Sequence, residues 1–398
     1  MTISCDIKRQ LGQAGALPRN WLFLGVGYTA KALINVLPDG LNLMGTSRSP
    51  QKWPDALKAR VKGIDFQGAI TDALKAALET AEVLIISLPP SRGGDPFLSG
   101  LKKHIAALMP NLKWAGYLSA TSVYGDRYGQ WAFEDELLRP TTARGVYRAE
   151  AEIAWLETGL PVHIFRLAGI YGATYFGQTR NPFARINAGT ARAIIKPDHI
   201  VNRIHVEDIV TALLASIATP DPLRIYNLSD GRPAPPQDVL SFAARLCSTP
   251  IPPRVGLDSP DISEMARSFY TETKRVSNMR AQTELGWVPK YPNYQTGLMS
   301  IYKSERDQSG AVMLAGHVDV PAQRRRAMKD ALARHIRLSR AEKGCIRFDL
   351  AYDPEIETRL HLNEIFESQA AFETHQKRTA ASDWAEIARG LKRHYYKI

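Results

Sequence analysis

The chain has 398 residues, 44% hydrophobic and 23% charged, which is material for two or three packed cores and excludes a disordered, fibrous or disulfide-stapled chain. Lysine and arginine outnumber aspartate and glutamate by 51 to 40, a formal charge of +11. The excess is spread over both halves, and no helix-turn-helix, RNP or zinc-finger pattern accompanies it. A nucleic-acid partner is therefore not expected, whereas phosphorylated cofactors and acidic small molecules are.

Cys5, Cys247 and Cys345 are too scattered for a zinc motif or a disulfide framework. No apolar run is long enough for a bilayer, and the first twenty residues lack the apolar stretch of a secretory leader. A cytoplasmic, reduced, soluble protein is the expectation.

In chain order, Trp21–Leu24, Leu41–Thr46, Glu82–Leu88, Lys113–Ser119 and Val162–Leu167 are short apolar runs that read as buried parallel strands. Between them, Ala30, Leu33, Ile34 and Leu37 share one helical face, as do Ile153, Ala154 and Leu156 after Tyr147. Such alternation predicts a doubly wound α/β Rossmann-type sheet over residues 18–303, with the proline-rich stretch 231–295 as a smaller substrate-side lobe. A polar link at 304–310 follows. Beyond it, the pattern over 311–398 reads strand, long helix, two strands, helix, a helical turn and a last strand, a ferredoxin-like α+β unit.

The first strand runs straight into Gly25-Val26-Gly27-Tyr28-Thr29-Ala30 and then a helix. Gly25 permits the tight turn, Gly27 lets the backbone approach a pyrophosphate, and Ala30 lets the helix pack close to the sheet. The phosphates would rest on the helix N-terminus, around Tyr28 and Thr29. The next strand ends in Ser47-Arg48, where a site selective for NAD usually carries an acid. A hydroxyl and a guanidinium suit a 2′-phosphate, so NADP is expected over NAD.

Four stretches then occur in register: the GxGxxA loop, Leu118–Asp126 (LSATSVYGD), Arg166–Gly172 (RLAGIYG) and Asn202–Ile209 (NRIHVEDI). Together they resemble an extended short-chain dehydrogenase/reductase of the nucleotide-sugar epimerase type. The Ser87-Leu88-Pro89-Pro90 turn looks like an atypical bacterial branch, and the resemblance makes Leu88 and Pro89 cofactor contacts. Active members of the family use a Ser/Thr, a tyrosine and a lysine. The tyrosine exchanges a proton with the substrate oxygen, and the lysine lowers its pKa and holds the cofactor. Tyr147 reads as the tyrosine of YxxxK, with Ala151 where lysine belongs and Ala120 where Ser/Thr belongs. Thr121, Ser119 or Ser122 is the substitute hydroxyl, with Thr121 first, and Arg144 or Arg148 the substitute cation. His205 and Asp208 read as organisers of a strand–helix junction.

Residues 311–398 resemble the antibiotic-biosynthesis-monooxygenase domain, a dimeric α+β barrel, on the stretches Gly316–Val320, Gly344–Leu350, Leu362–Ser368 and Ala370–Gln376. The resemblance implies a homodimer through this domain and oxygenation of an electron-rich aromatic without metal or flavin. His375 is the candidate base, with Asn363, Glu364 and His317 as cavity polar groups. His317, His361 and His394 otherwise read as structural. No HxH or HxxxH pair is present, so no metal is expected. The combined expectation is an NADP(H)-binding oxidoreductase or epimerase-like protein fused to a monooxygenase-like domain, acting on a small carbonyl, quinone or aromatic compound. The alternative is a catalytically degenerate NADP-binding redox sensor or scaffold.

Overall fold

A computed structural model describes residues 17–99, 104–260 and 262–398. Cys5 and most of the stretch 1–20 lie outside them. The chain divides into two compact units. One runs up to Asn181 and adds Arg192–Asp238 and Arg254–Tyr294. The other collects Pro182–Ala191, Val239–Pro253 and Gln295–Ile398. The stretch 231–295 is thus shared between the two.

The first unit is built on seven parallel strands: β1 (Asn20–Leu24), β2 (Asn42–Ser47), β3 (Lys62–Asp65), β4 (Val83–Ile86), β5 (Trp114–Ala120), β6 (Val162–Leu167) and β7 (Ile225–Leu228). Their spatial order is β7-β6-β5-β4-β1-β2-β3. β1 and β4, at the middle of the sheet, are almost wholly apolar, and the helices of this unit include α1 (Tyr28–Val36), α2 (Asp72–Thr80), α3 (Ala143–Leu156) and α4 (Val206–Ala218). The strand order reverses beside β1, between β2 on one side and β4 on the other, and the carboxyl ends there open the crevice in which such sheets take ligands. Strands β3 and β7 lie at the two edges and are four residues each. Their short runs, KGID and IYNL, gave no periodic signal in the sequence.

In the second unit, α5 (Pro236–Cys247) and α6 (Tyr294–Glu305) are followed by β8 (Val312–Asp319), α7 (Ala322–Arg340), β9 (Cys345–Tyr352), β10 (Arg359–Phe366), α8 (Gln369–Ala380), α9 (Asp383–Ile387) and β11 (Lys392–Lys397). The strands form one antiparallel sheet in the order β9-β10-β8-β11, the ferredoxin-like arrangement expected from the sequence. One face buries Val318, Leu360, Phe348 and Phe366 against Met328, Phe372 and Ala388 of the helical layer. The other face carries Met313, Ala315 and Ile365 among polar side chains and meets α5 and α6. Arg347 donates to Leu246 O and Tyr302 Oη at 2.6 and 2.8 Å, Asn363 donates to Arg245 O at 3.2 Å, and Arg245 pairs with Asp353 at 2.9 Å.

Candidate active site

The glycine loop of the first unit is tied down by its neighbours. Gly25 N–H donates to Thr46 Oγ1 at 2.8 Å, and Ser87 Oγ donates to Gly25 O at 2.7 Å. Gly25 has φ +90°, and a Cβ there would sit 3.0 Å from Ser87 Oγ and 3.2 Å from Leu88, so only glycine fits. Gly27 differs. Its backbone suits any residue, and a Cβ there would meet nothing within 4 Å. That open space faces the start of α1, where no side-chain cap competes for the N–H groups and no acid repels an anion. Ala30 is 1% exposed, which lets α1 lie close to the sheet. These residues fit a dinucleotide pyrophosphate. Gly27, Tyr28, Thr29 and Pro89 line a cleft of about 550 Å³. Ser47 and Arg48 close β2 outside that lining. Arg48 is exposed, and its carbonyl accepts from Gln67.

At the other end of the cleft the lining includes Ala120, Thr121, Ser122 and, from α3, Arg144 and Arg148. Tyr147 is half-buried and is not among the lining residues. Ala151, four residues on from Tyr147, is 2% exposed and packs in the core with Trp155 and Ile164. Arg144 and Arg148 have the same four-residue spacing as the family's tyrosine and lysine, and they share the cleft face. Arg148 donates to Tyr117 Oη and Leu118 O, both at 3.1 Å, and Arg144 donates to Ser268 Oγ at 3.0 Å. Arg180 and Lys274 bring the cations of the lining to four, against the single carboxylate of Glu272. The wall is therefore built to hold negative charge.

A buried ion pair sets the phase of α3. Glu152 of α3 and Arg166 of β6 meet at 2.8 Å with side chains 2% and 3% exposed. Ser119 also donates to Glu152. Arg166 further donates to Tyr124 Oη at 2.9 Å, which in turn donates to Asn227 at 2.7 Å. Burial pushes the Tyr124 phenol up to about 12, against the pull of Arg166, so it stays protonated. His205 and Asp208 are structural as expected. His205 Nδ1 accepts from Glu207 N–H at the start of α4, and Asp208 accepts the N–H groups of Lys290 and Tyr291 at 2.7 and 3.1 Å.

In the second unit, His375 of α8 is 2% exposed among the rings of Phe366 and Phe348. Its Nδ1 lies 2.7 Å from Glu342 and its Nε2 3.3 Å from Glu364. Burial works against the charged ring, but the two carboxylates outweigh it and hold the His375 pKa above its ordinary value. When charged, the ring can donate from both nitrogens and pass a proton between the two carboxylates. β10 alternates, so that Glu364 and Phe366 face the helices with His375, while Asn363 and His317, expected in the same cavity, lie on the opposite face of the sheet. Neither Glu342, in the turn after α7, nor Arg378, one helical turn from His375 and donating to Glu342, stands out in the sequence.

A model of the antibiotic biosynthesis monooxygenase family matches residues 311–387. Protein YeeZ of Escherichia coli (strain K12) is 31% identical over 225 residues, covering 54% of this chain and 74% of that protein. A solved structure of a functionally unknown conserved protein from Silicibacter pomeroyi DSS is 44% identical with TM-score 0.66, covering 72% of this chain and 99% of its own. The UDP-glucuronic acid 4-epimerase of Bacillus cereus, solved with NAD, aligns over the same shares at 16% identity and TM-score 0.56, a likeness of fold. Sheet order, glycine loop and sequence identity thus agree: the chain belongs to the family of Protein YeeZ, with an epimerase/dehydratase-type fold in its first unit and an antibiotic biosynthesis monooxygenase domain at its C-terminal end.

Proposed function

We propose that the first unit binds NADP(H) together with a small anionic molecule and works without the tyrosine–lysine chemistry of the family's dehydrogenases, as a redox-sensing partner to the monooxygenase-like domain. The observation that carries this reading is the placement of Arg144 and Arg148 on the cleft, with Ala120 beside them and Ala151 in the core. When bound, the dinucleotide supplies a hydride donor or acceptor. Gly25, Gly27, Tyr28 and Thr29 hold its phosphates, Leu88 and Pro89 border it, and Ser47 with Arg48 takes the 2′-phosphate.

An arginine grips a carboxylate or phosphate bidentately and stays charged at any working pH, so it binds anions well and relays protons poorly. Thr121 and Ser122 add hydroxyl hydrogen bonds to whatever the arginines hold. The C-terminal domain, with His375 between two carboxylates and two phenylalanines, suits proton transfer to or from an aromatic or quinone-like compound. A cytoplasmic setting goes with free Cys247 and Cys345, and among the described residues no helix is long and apolar enough to cross a membrane.

The test is a titration with NADPH and NADH, followed by NADPH consumption against quinones and aldehydes. NADPH binds more tightly, and Arg48→Ala weakens it about ten- to a hundredfold while sparing NADH, the range for losing a charge-assisted hydrogen bond. Equal loss for both nucleotides refutes the 2′-phosphate assignment. Consumption that Tyr147→Phe abolishes overturns the sensor reading and makes the first unit a tyrosine-dependent reductase.

A further inference from the structure

Three histidines far apart in the sequence meet on the outer face of the C-terminal sheet. His317 of β8 stands directly across from His361 of β10 on one side and from His394 of β11 on the other. Opposed residues on antiparallel strands share a face and lie within touching distance. The His317 and His394 rings stack with centroids 4.6 Å apart and planes 21° apart, and His361 lies 5.9 Å from His317. Asp319, two residues past His317, comes out on the same face. Its carboxylate is 3.2 Å from His394 Nε2 and 3.9 Å from His317 Nε2. The donor atoms of His317, Asp319 and His394 all lie within 4.8 Å of one another. His361 stands outside that triple, with Nε2 bound to Asp353 at 2.7 Å.

The geometry points to a site for a divalent first-row transition metal formed by His317, His394 and Asp319. Two imidazoles and one carboxylate on one side of the ion leave coordination positions open for water or a ligand, a donor set that zinc, cobalt, nickel and iron(II) accept. Drawing the three donors onto one ion asks only for side-chain rotation. The His317, Asp319 and His394 side chains are 24%, 40% and 37% exposed, so no core has to repack. Nitrogen donors decide the selectivity. Magnesium and calcium are held by sets of oxygen ligands, and this group offers a single carboxylate, Asp319. Spacing along the chain, with no HxH or HxxxH pair, conceals the group; strand pairing assembles it. The site lies on the opposite side of the sheet from His375 and is independent of the nucleotide reading.

The experiment uses the full chain without a polyhistidine tag, titrated with Zn²⁺ by calorimetry and with Co²⁺ by visible absorption. The expected result is about one high-affinity equivalent, weakened at least about tenfold in His317→Ala and in Asp319→Asn, since even an outer-sphere partner is worth that much. His361→Ala removes a ring from the same face without removing a donor, and it keeps most of the affinity. Wild-type protein that takes up neither metal, or affinity unchanged in His317→Ala and Asp319→Asn, overturns the proposal. So does a loss in His361→Ala as large as in the other two.

Discussion

Replacing Glu152 with alanine strands a guanidinium in the interior of the first unit. Arg166 Nη2 lies 2.8 Å from Glu152 Oε2, and Nε lies 3.2 Å from each carboxylate oxygen. Once Glu152 is gone, the partners left to Arg166 are the Tyr124 hydroxyl at 2.9 Å and the Glu134 carbonyl at 3.1 Å, both neutral. Removing one member of a buried pair costs about 3–5 kcal/mol, because the other charge stays desolvated. At about 2–4 °C per kcal/mol for a body of this size, Tm falls by about 6–20 °C. Thermal unfolding of the full chain by near-UV circular dichroism reads the shift directly. The double replacement Glu152→Leu with Arg166→Met recovers most of it, since an apolar pair of similar volume is near neutral in such a place. A Glu152→Ala protein melting within about 2 °C of wild type refutes the reasoning, because a stranded charge cannot cost so little.

Two further outcomes follow from the same geometry. Gly27→Ala leaves Tm within about 1 °C, since its backbone tolerates a Cβ and nothing lies in the way. It nonetheless weakens NADPH about tenfold or more, because the methyl fills the space a pyrophosphate needs. Calorimetry alongside a melting curve separates the two effects, and unchanged affinity removes the phosphates from this loop. The second concerns pH. The folded pKa of His375 is raised, so the stability it contributes is fully present below about pH 6.5 and is lost as the pH climbs through the higher folded value. The gap in Tm between wild type and His375→Gln is therefore widest in mild acid and narrows toward alkaline pH. A gap that grows with pH shows the ring to be neutral in the fold.

The central strands were legible because strands covered on both faces are apolar throughout, and the glycine loop because its steric demands are local. Both rest on neighbouring residues. The reaction end of the cleft was not legible in the same way. The YxxxK spacing fits α3 in two frames, Tyr147 with Ala151 and Arg144 with Arg148, and the sequence favours the one that contains a tyrosine. Glu152 reaching Arg166, fourteen residues on and in another element, anchors α3 to the sheet beside the cleft that Arg144 and Arg148 line. Likewise, His317, His361 and His394 carry no shared spacing, and Glu342 is unremarkable until the turn after α7 comes to His375. Partners that meet only through tertiary contact leave no periodic trace.

The membership of α5 in the second unit bears on how this chain is made and cut. Residues 182–191 and 239–253 leave the ribosome well before β8, yet they belong with a sheet whose strands come last. Arg245, Leu246 and Ser248 wait for Asp353, Arg347 and Asp349, about a hundred residues downstream, so completion of this body is a late, long-range loop closure. Severing the chain at 304–310 would produce a C-terminal fragment with correct strands and an uncovered, charged outer face, deprived of the backbone carbonyls and the Tyr302 hydroxyl that satisfy it. The seam of independent folding lies elsewhere than the linker, and it passes through the chain more than once.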